Sequence, residues 1–236
     1  MSNQQKVAIV TGASQGLGEG IVNAFLARGY RVVGTSRSIK PSQNPNYVTF
    51  AGDIGNPETG RKVVELALER FGRVDTLVNN AGIFIASEFT NYSEKQYQEI
   101  LSTNLNGFFH TTQHAIGPML KQGSGHIVQI TTTLVDQANS NVPSVLASLT
   151  KGGLAAATRS LAIEYATRNI RVNAVSPGII KTPMHAPETH AGLASLHPVK
   201  RIGEISDISQ AVLYLEDANF VTGEILHVDG GQVAGH

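Results

Sequence analysis

From residue 11 to residue 18 the chain reads TGASQGLG, with glycines at 12, 16 and 18. An apolar run, Val7 to Val10, precedes it. A helical apolar pattern, Ile21, Val22, Phe25 and Leu26, follows it. A buried strand that turns tightly into a helix presents unpaired backbone N–H groups and the positive end of the helix dipole. Glycines let the backbone approach a ligand with no Cβ in the way. That chemistry suits the pyrophosphate of a dinucleotide, and the motif stands in the strand-to-helix context it needs. A tight turn with no ligand would show the same glycines.

The elements that would hold this turn alternate along the chain. After Gly29, Arg31 to Ser36 reads as a second strand and Tyr47 to Ala51 as a third. Asn56-Pro57-Glu58 has the signature of a capped helix start, and that helix runs to about Phe71. Thr76 to Asn79 is a fourth strand. Ser93 and Gln96 are spaced as a capping box for a helix through Leu101 and beyond. His126 to Thr131 is a fifth strand, Ser144 to Thr167 a long helix, and Arg171 to Ser176 a sixth strand. Ser206-Asp207 opens another helix, and Ile225 to Val228 is the last strand. Such alternation predicts an α/β fold, a doubly wound parallel sheet with helices on both faces. One domain over residues 1–236 is expected, without repeat or linker.

Ligands in such sheets lie beyond the carboxyl ends of the strands. The residues there are the glycine turn, Ser36-Arg37, Asp53, Asn79 to Gly82, Thr131 to Thr133, and Pro177-Gly178. Ser36 and Arg37 bear on the cofactor. An acid at the end of strand two would bind a ribose 2′-OH. A hydroxyl and a guanidinium suit a 2′-phosphate, so NADP(H) is expected over NAD(H). Gln15 adds no second positive charge, and a solvated Arg37 is the plainer alternative.

Lysine plus arginine equals aspartate plus glutamate, 18 each, so no nucleic-acid partner is expected. There is no cysteine and hence no disulfide. The polar start MSNQQK is not a signal peptide, and no apolar stretch is long enough to span a membrane. A cytoplasmic protein is expected.

Taken together, TGASQGLG, Asp53, NNAG at 79–82, Asn104 in STNLNG, Lys151 in TKGGL, SPGIIKT at 176–182 and VDGG at 228–231 resemble the short-chain dehydrogenase/reductase family along almost the whole chain. The resemblance implies a seven-stranded Rossmann sheet, usually in a homo-oligomer (tetramer or dimer). It implies hydride transfer between a nicotinamide and a small carbonyl or alcohol substrate. On the cofactor side it implies Gly12, Ser14, Gln15, Gly16, Leu17 and Gly18 at the turn. Ser36, Arg37, Asp53 and Ile54 would follow at the adenosine end. Asn80, Ala81, Gly82, Lys151, Pro177, Gly178, Ile180 and Thr182 would hold the nicotinamide half. On the catalytic side it implies Asn104, Lys151 and a hydroxyl for the substrate oxygen, for which Thr132 is the best match.

The pattern also requires a tyrosine four residues before the lysine, and Ala147 stands there. Ser144 lies one turn earlier, and Ser148 points about 100° away. Three readings follow. The first is an NADP(H)-dependent oxidoreductase with a non-standard proton donor, with Asp136, Ser144, His185, His190 or water held by Lys151 and Asn104 as candidates. The second is a cofactor-binding sensor or partner subunit with no turnover. The third is a non-redox reaction on the same fold. Residues 183–202 are expected to cover the substrate. The spacings of His185, His190 and His197 match no familiar metal pattern, so no metal is expected.

Overall fold

The computed structural model describes residues 5–235. Its first strand, β1 (Val7–Thr11), is buried along its entire length because its neighbours on both faces are helices. Successive side chains of a strand point to opposite faces. Ala8 and Val10 pack with Ile21, Phe25, Val212 and Leu215 on one face. Val7 and Ile9 pack with Val63, Ala67, Ala115 and Met119 on the other. A strand covered on both sides reads as an unbroken apolar run, which is what Val7 to Val10 is.

Around β1 lie β2 (Arg31–Ser36), β3 (Tyr47–Ala51), β4 (Thr76–Asn79), β5 (Gly125–Ile130), β6 (Ile170–Pro177) and β7 (Ile225–Val228). Together they form a seven-stranded sheet in the order β3-β2-β1-β4-β5-β6-β7. Every pairing is parallel, with Ala8 opposite both Val32 and Thr76. The order reverses direction between β1 and β4, so the loops after these two strands diverge and leave a crevice at the carboxyl edge. This is the doubly wound α/β sheet that the alternation predicts.

The helices are α1 (Gly16–Ala27), α2 (Pro57–Phe71), α3 (Glu94–Leu101), α4 (Gly107–Gln122), α5 (Val145–Tyr165), α6 (His190–Ala194) and α7 (Ile205–Asp217). The Asn56 side chain accepts the Glu58 N–H, and Ser93 and Gln96 close their box in both directions. Several boundaries differ from expectation: β5 and β6 each start one residue earlier than read, β5 ends one earlier and β6 one later, and α5 stops at Tyr165 rather than Thr167. The helix expected through Leu101 and beyond does run on, by way of a π-helical turn over Ser102–Asn106 that the sequence does not signal, into α4. Helix α7 starts one residue early, because Glu204 and Asp207 form the reciprocal cap. Ser144 is not helical: at φ −154°, ψ 40° it flanks α5 from outside. Ala155 of α5 packs on Ala174 and Ile225 of the chain's own sheet. No helix among the described residues is long and apolar enough to cross a membrane.

Candidate active site

The glycine turn is held by its neighbour across the crevice. Thr11 Oγ1 accepts the backbone N–H groups of Asn80 (3.1 Å) and Ala81 (3.0 Å). Asn80 Nδ2 donates back to Thr11 O (2.9 Å) and Gly12 O (3.3 Å). Gly12 has φ +68°, in the left-handed region that side chains disfavour. A Cβ on Gly18 would stand 2.1 Å from Gly12 O. Gln15 is extended and makes no side-chain cap, so the first-turn N–H groups of α1 face the crevice unclaimed by a capping side chain. A bare cradle before the positive end of a twelve-residue helix fits a pyrophosphate.

From this cradle a cleft of about 450 Å³ runs to the segment 183–202. Gly12, Gln15, Gly16, Leu17 and Gly18 line one end. Asn80, Ala81, Gly82, Pro177, Gly178, Ile180 and Thr182 line its middle, together with Lys151 and Thr132. Ser14, Ser36, Arg37, Asp53 and Ile54 lie outside this lining but on the same sheet edge. Ala13 N donates to Thr35 O (3.1 Å) and Gly52 N to Ser36 O (3.1 Å), which ties the ends of β1, β2 and β3 together. Arg37 is exposed and has no ion pair among the described residues. Asp53 Oδ1 accepts Gly55 N–H (3.0 Å), and Ile54 is buried.

Lys151 and Ala147 share a face of α5, one turn apart, and both line the cleft. Lys151 Nζ donates to Ile130 O (2.7 Å) at the end of β5. Burial, which disfavours the charged form, lowers its pKa to about 8. Gly82 keeps the approach to it open, since a Cβ there would lie 3.0 Å from Nζ. Asn104 sits behind Gly82 in the π-helical turn. Its Oδ1 accepts Ile83 N–H (2.9 Å), and its Nδ2 donates to Ile83 O and Thr150 Oγ1 (both 3.1 Å). Both ends of the Asn104 amide are thus engaged within the protein. Thr132 Oγ1 accepts Leu134 N–H (3.4 Å), and no described residue accepts its proton.

Most of the alternative proton donors are engaged elsewhere. Ser144 Oγ donates to Val142 O, and Ser148 Oγ to Leu134 O. Asp136 pairs with His227. His190 Nε2 donates to His185 O (3.0 Å). His185 does line the cleft, and burial, aided by His190, lowers its pKa below the usual histidine value. Tyr92 is the residue that sequence spacing misses. Its hydroxyl donates to Ile85 O (2.8 Å) beside Leu146, burial raises its pKa, and it does not line the cleft. Only the folded path of residues 83–92 brings it near α5, and no sequence period signals that.

A family model described as Enoyl-(Acyl carrier protein) reductase matches residues 12–232. The chain belongs to the short-chain dehydrogenase/reductase family, and it is a short-chain oxidoreductase with a nucleotide-binding Rossmann fold. It is 36% identical over 243 residues to the 3-oxoacyl-[acyl-carrier-protein] reductase FabG of Buchnera aphidicola, covering 98% of each chain. It is 34% identical over 242 residues to the FabG of Escherichia coli, again covering 98% of each. Among solved structures, "ElxO with NADP Bound" superposes with TM-score 0.92 at 29% identity, over 98% of this chain and 100% of that one. A Thermoplasma acidophilum aldohexose dehydrogenase superposes with TM-score 0.91 at 28% identity, over 99% and 96%.

Proposed function

We propose that the protein is an NADP(H)-dependent reductase or dehydrogenase of a small carbonyl or alcohol compound whose proton donor is not a tyrosine. The observation that carries this reading is Lys151 lining the same cleft as the glycine turn, with buried Ala147 one turn before it. The nicotinamide, when bound, supplies or takes the hydride. In this reading α1's N-terminus and Gly12, Ser14, Gln15, Gly16, Leu17 and Gly18 hold the pyrophosphate. Ser36, Arg37, Asp53 and Ile54 hold the adenosine end, with Arg37 on a 2′-phosphate. Asn80, Ala81, Gly82, Pro177, Gly178, Ile180 and Thr182 hold the nicotinamide half, Lys151 its ribose, and Thr132 the substrate oxygen. Asn104 positions the turn against Lys151. The relatives named as FabG and the NADP-bound neighbour support NADP(H). A structure of the neighbour ElxO with one tyrosine changed to phenylalanine is described with NADPH bound, so in that protein losing a phenol does not prevent binding.

Residues 183–202 cover the substrate in this reading. Phe84, Leu134, Val142, Met184, Leu193 and Leu196 line that end of the cleft, which suits a carbonyl on an aliphatic body better than a sugar. The same reading carries a homo-oligomer, tetramer or dimer, which light scattering measures.

Quenching or enhancement of bound NADPH fluorescence gives the cofactor affinity, and loss of its absorbance with a panel of aliphatic ketones and aldehydes gives turnover. Binding with turnover supports the reading. Binding without turnover of any carbonyl would make the protein a cofactor-binding sensor or partner. Product without change in nicotinamide absorbance would make it a non-redox catalyst. Ala147→Tyr is expected to raise carbonyl reduction about a hundredfold, the low side of what a well-placed acid contributes. An unchanged rate in a folded variant would show that the cleft is rebuilt beyond that residue.

A further inference from the structure

Resting on the oxidoreductase reading above, we infer that Lys151 itself delivers the proton to the substrate oxygen, through the space that the Ala147 methyl leaves open beside it. Three observations carry this. The first is location. Lys151 and Ala147 are successive turns of one face of α5, both line the cleft, and Ala147 is only 2% exposed. Thr132 lines the same cleft, and a side chain of one carbon at 147 is the smallest obstacle a chiral residue can place beside Nζ.

The second is valence. An ammonium has three N–H groups, and Lys151 commits one of them to Ile130 O. The Gly82 backbone faces Nζ without a side chain, so that side is not walled off, and of the two remaining N–H groups one serves the nicotinamide ribose and one is left for the substrate oxygen.

The third is the absence of a better donor. Among the described residues that line the cleft there is no tyrosine, aspartate or glutamate, and His185 is the other titratable group. A general acid must be protonated at the working pH. Lys151, near 8, is mostly protonated at neutrality. His185, pushed below 6.5, is mostly neutral there.

The step balances without an outside reagent beyond the reduced nicotinamide of the oxidoreductase activity. The carbonyl carbon gains a hydride, the C=O π pair moves to oxygen, and that oxygen takes a proton as one Nζ–H bond breaks. The lysine is left as a neutral amine, which solvent reprotonates. In the oxidation direction the neutral amine removes the alcohol proton.

Two measurements test this. The first needs no cofactor. In protein labelled with ¹³C/¹⁵N-lysine, the resonance lost in Lys151→Arg is expected to titrate near pH 8. Titration above pH 10 would overturn the inference, because such a lysine holds its proton too tightly to match the reaction. The second is the pH profile of carbonyl reduction, which should fall above about 8 in the unmodified protein. In Lys151→Arg that limb should vanish, with kcat down about a hundredfold while NADPH fluorescence still reports binding. His185→Gln and Tyr92→Phe should leave the limb in place. A limb that moves with His185 or Tyr92, or one that survives in Lys151→Arg, would assign the proton elsewhere while the oxidoreductase reading stands. Absence of turnover with every carbonyl would defeat both.

Discussion

At Gly18 a methyl group has nowhere to go, because the atom 2.1 Å away is the carbonyl oxygen of Gly12, fixed by its own turn and by Asn80. Gly18→Ala is expected to lower stability by about 1–3 kcal/mol, as overpacking does. It should also weaken NADPH binding, read by thermal unfolding and by cofactor fluorescence. Arg37 sits at the opposite extreme, exposed and without an ion pair among the described residues, so its substitution leaves the fold unchanged. Arg37→Asp is expected to weaken NADPH about 10–100-fold, the worth of a charge-assisted hydrogen bond. NADH binding should change far less. Equal losses for the two cofactors in titration would remove Arg37 from the 2′-phosphate. Residue identity made both positions visible in the sequence, because glycine and arginine each answer a specific demand. It could not show that Asn104's amide bonds to Ile83 and Thr150, or that Tyr92 stands beside Leu146. Those are facts about where separate loops meet.

Capping chemistry is local, and so the starts of α2 and α3 were legible from Asn56-Pro57 and Ser93-Gln96. Ser93→Ala should lower stability by about 0.5–2 kcal/mol, measured by denaturant unfolding. The loss should be smaller in Ser93→Gly, since glycine suits the extended cap backbone. The π-helical turn at Ser102–Asn106 was not legible. One wide turn within a helical run leaves the apolar period almost unchanged, yet it sets the direction in which Asn104 projects. The segment before α7 misleads for a related reason. Ser206 looks like the cap, but Glu204 and Asp207 satisfy each other across three residues and start the helix earlier. The doubly wound parallel sheet, by contrast, followed from alternation, because strands separated by helices pair in parallel through right-handed crossovers; the order of the strands is seen only in the fold.

Over the whole molecule, the two ends of the sheet divide the labour. The carboxyl edge carries the cleft, while at the amino edge a buried carboxylate gathers donors from several elements. Glu216 Oε1 accepts from Tyr30 (2.8 Å) and Lys6 (3.2 Å), and Oε2 accepts from Thr76 and His126 Nδ1 (both 2.8 Å). Glu224 N–H holds Asn173 Oδ1, which turns Asn173 Nδ2 toward His126 Nε2 (3.2 Å). That nitrogen is therefore an acceptor, and His126 is neutral with its proton on Nδ1. Burial keeps the His126 pKa down. For Glu216 burial acts upward, but the bond from His126, with Lys6 and Tyr30, outweighs it and holds the group down at about 2. Both shifts have the same sign: the unfolded chain takes up protons that the folded one refuses. Stability should therefore fall as pH drops below 6.5, the ordinary histidine value. It should fall again between 4.5 and about 2, as Glu216 is protonated. Glu216→Gln is expected to cost about 1–3 kcal/mol near neutrality and to flatten the lower part of that acid limb in pH-dependent unfolding. The same carboxylate has a consequence in time. Tyr30, Thr76 and His126 precede it by 186, 140 and 90 residues. At about 5–20 residues per second, Tyr30 leaves the ribosome many seconds before its acceptor is made. Until α7 docks, those donors need water, so the amino edge of the sheet stays hydrated on the nascent chain and closes only once Glu216 has been made and placed.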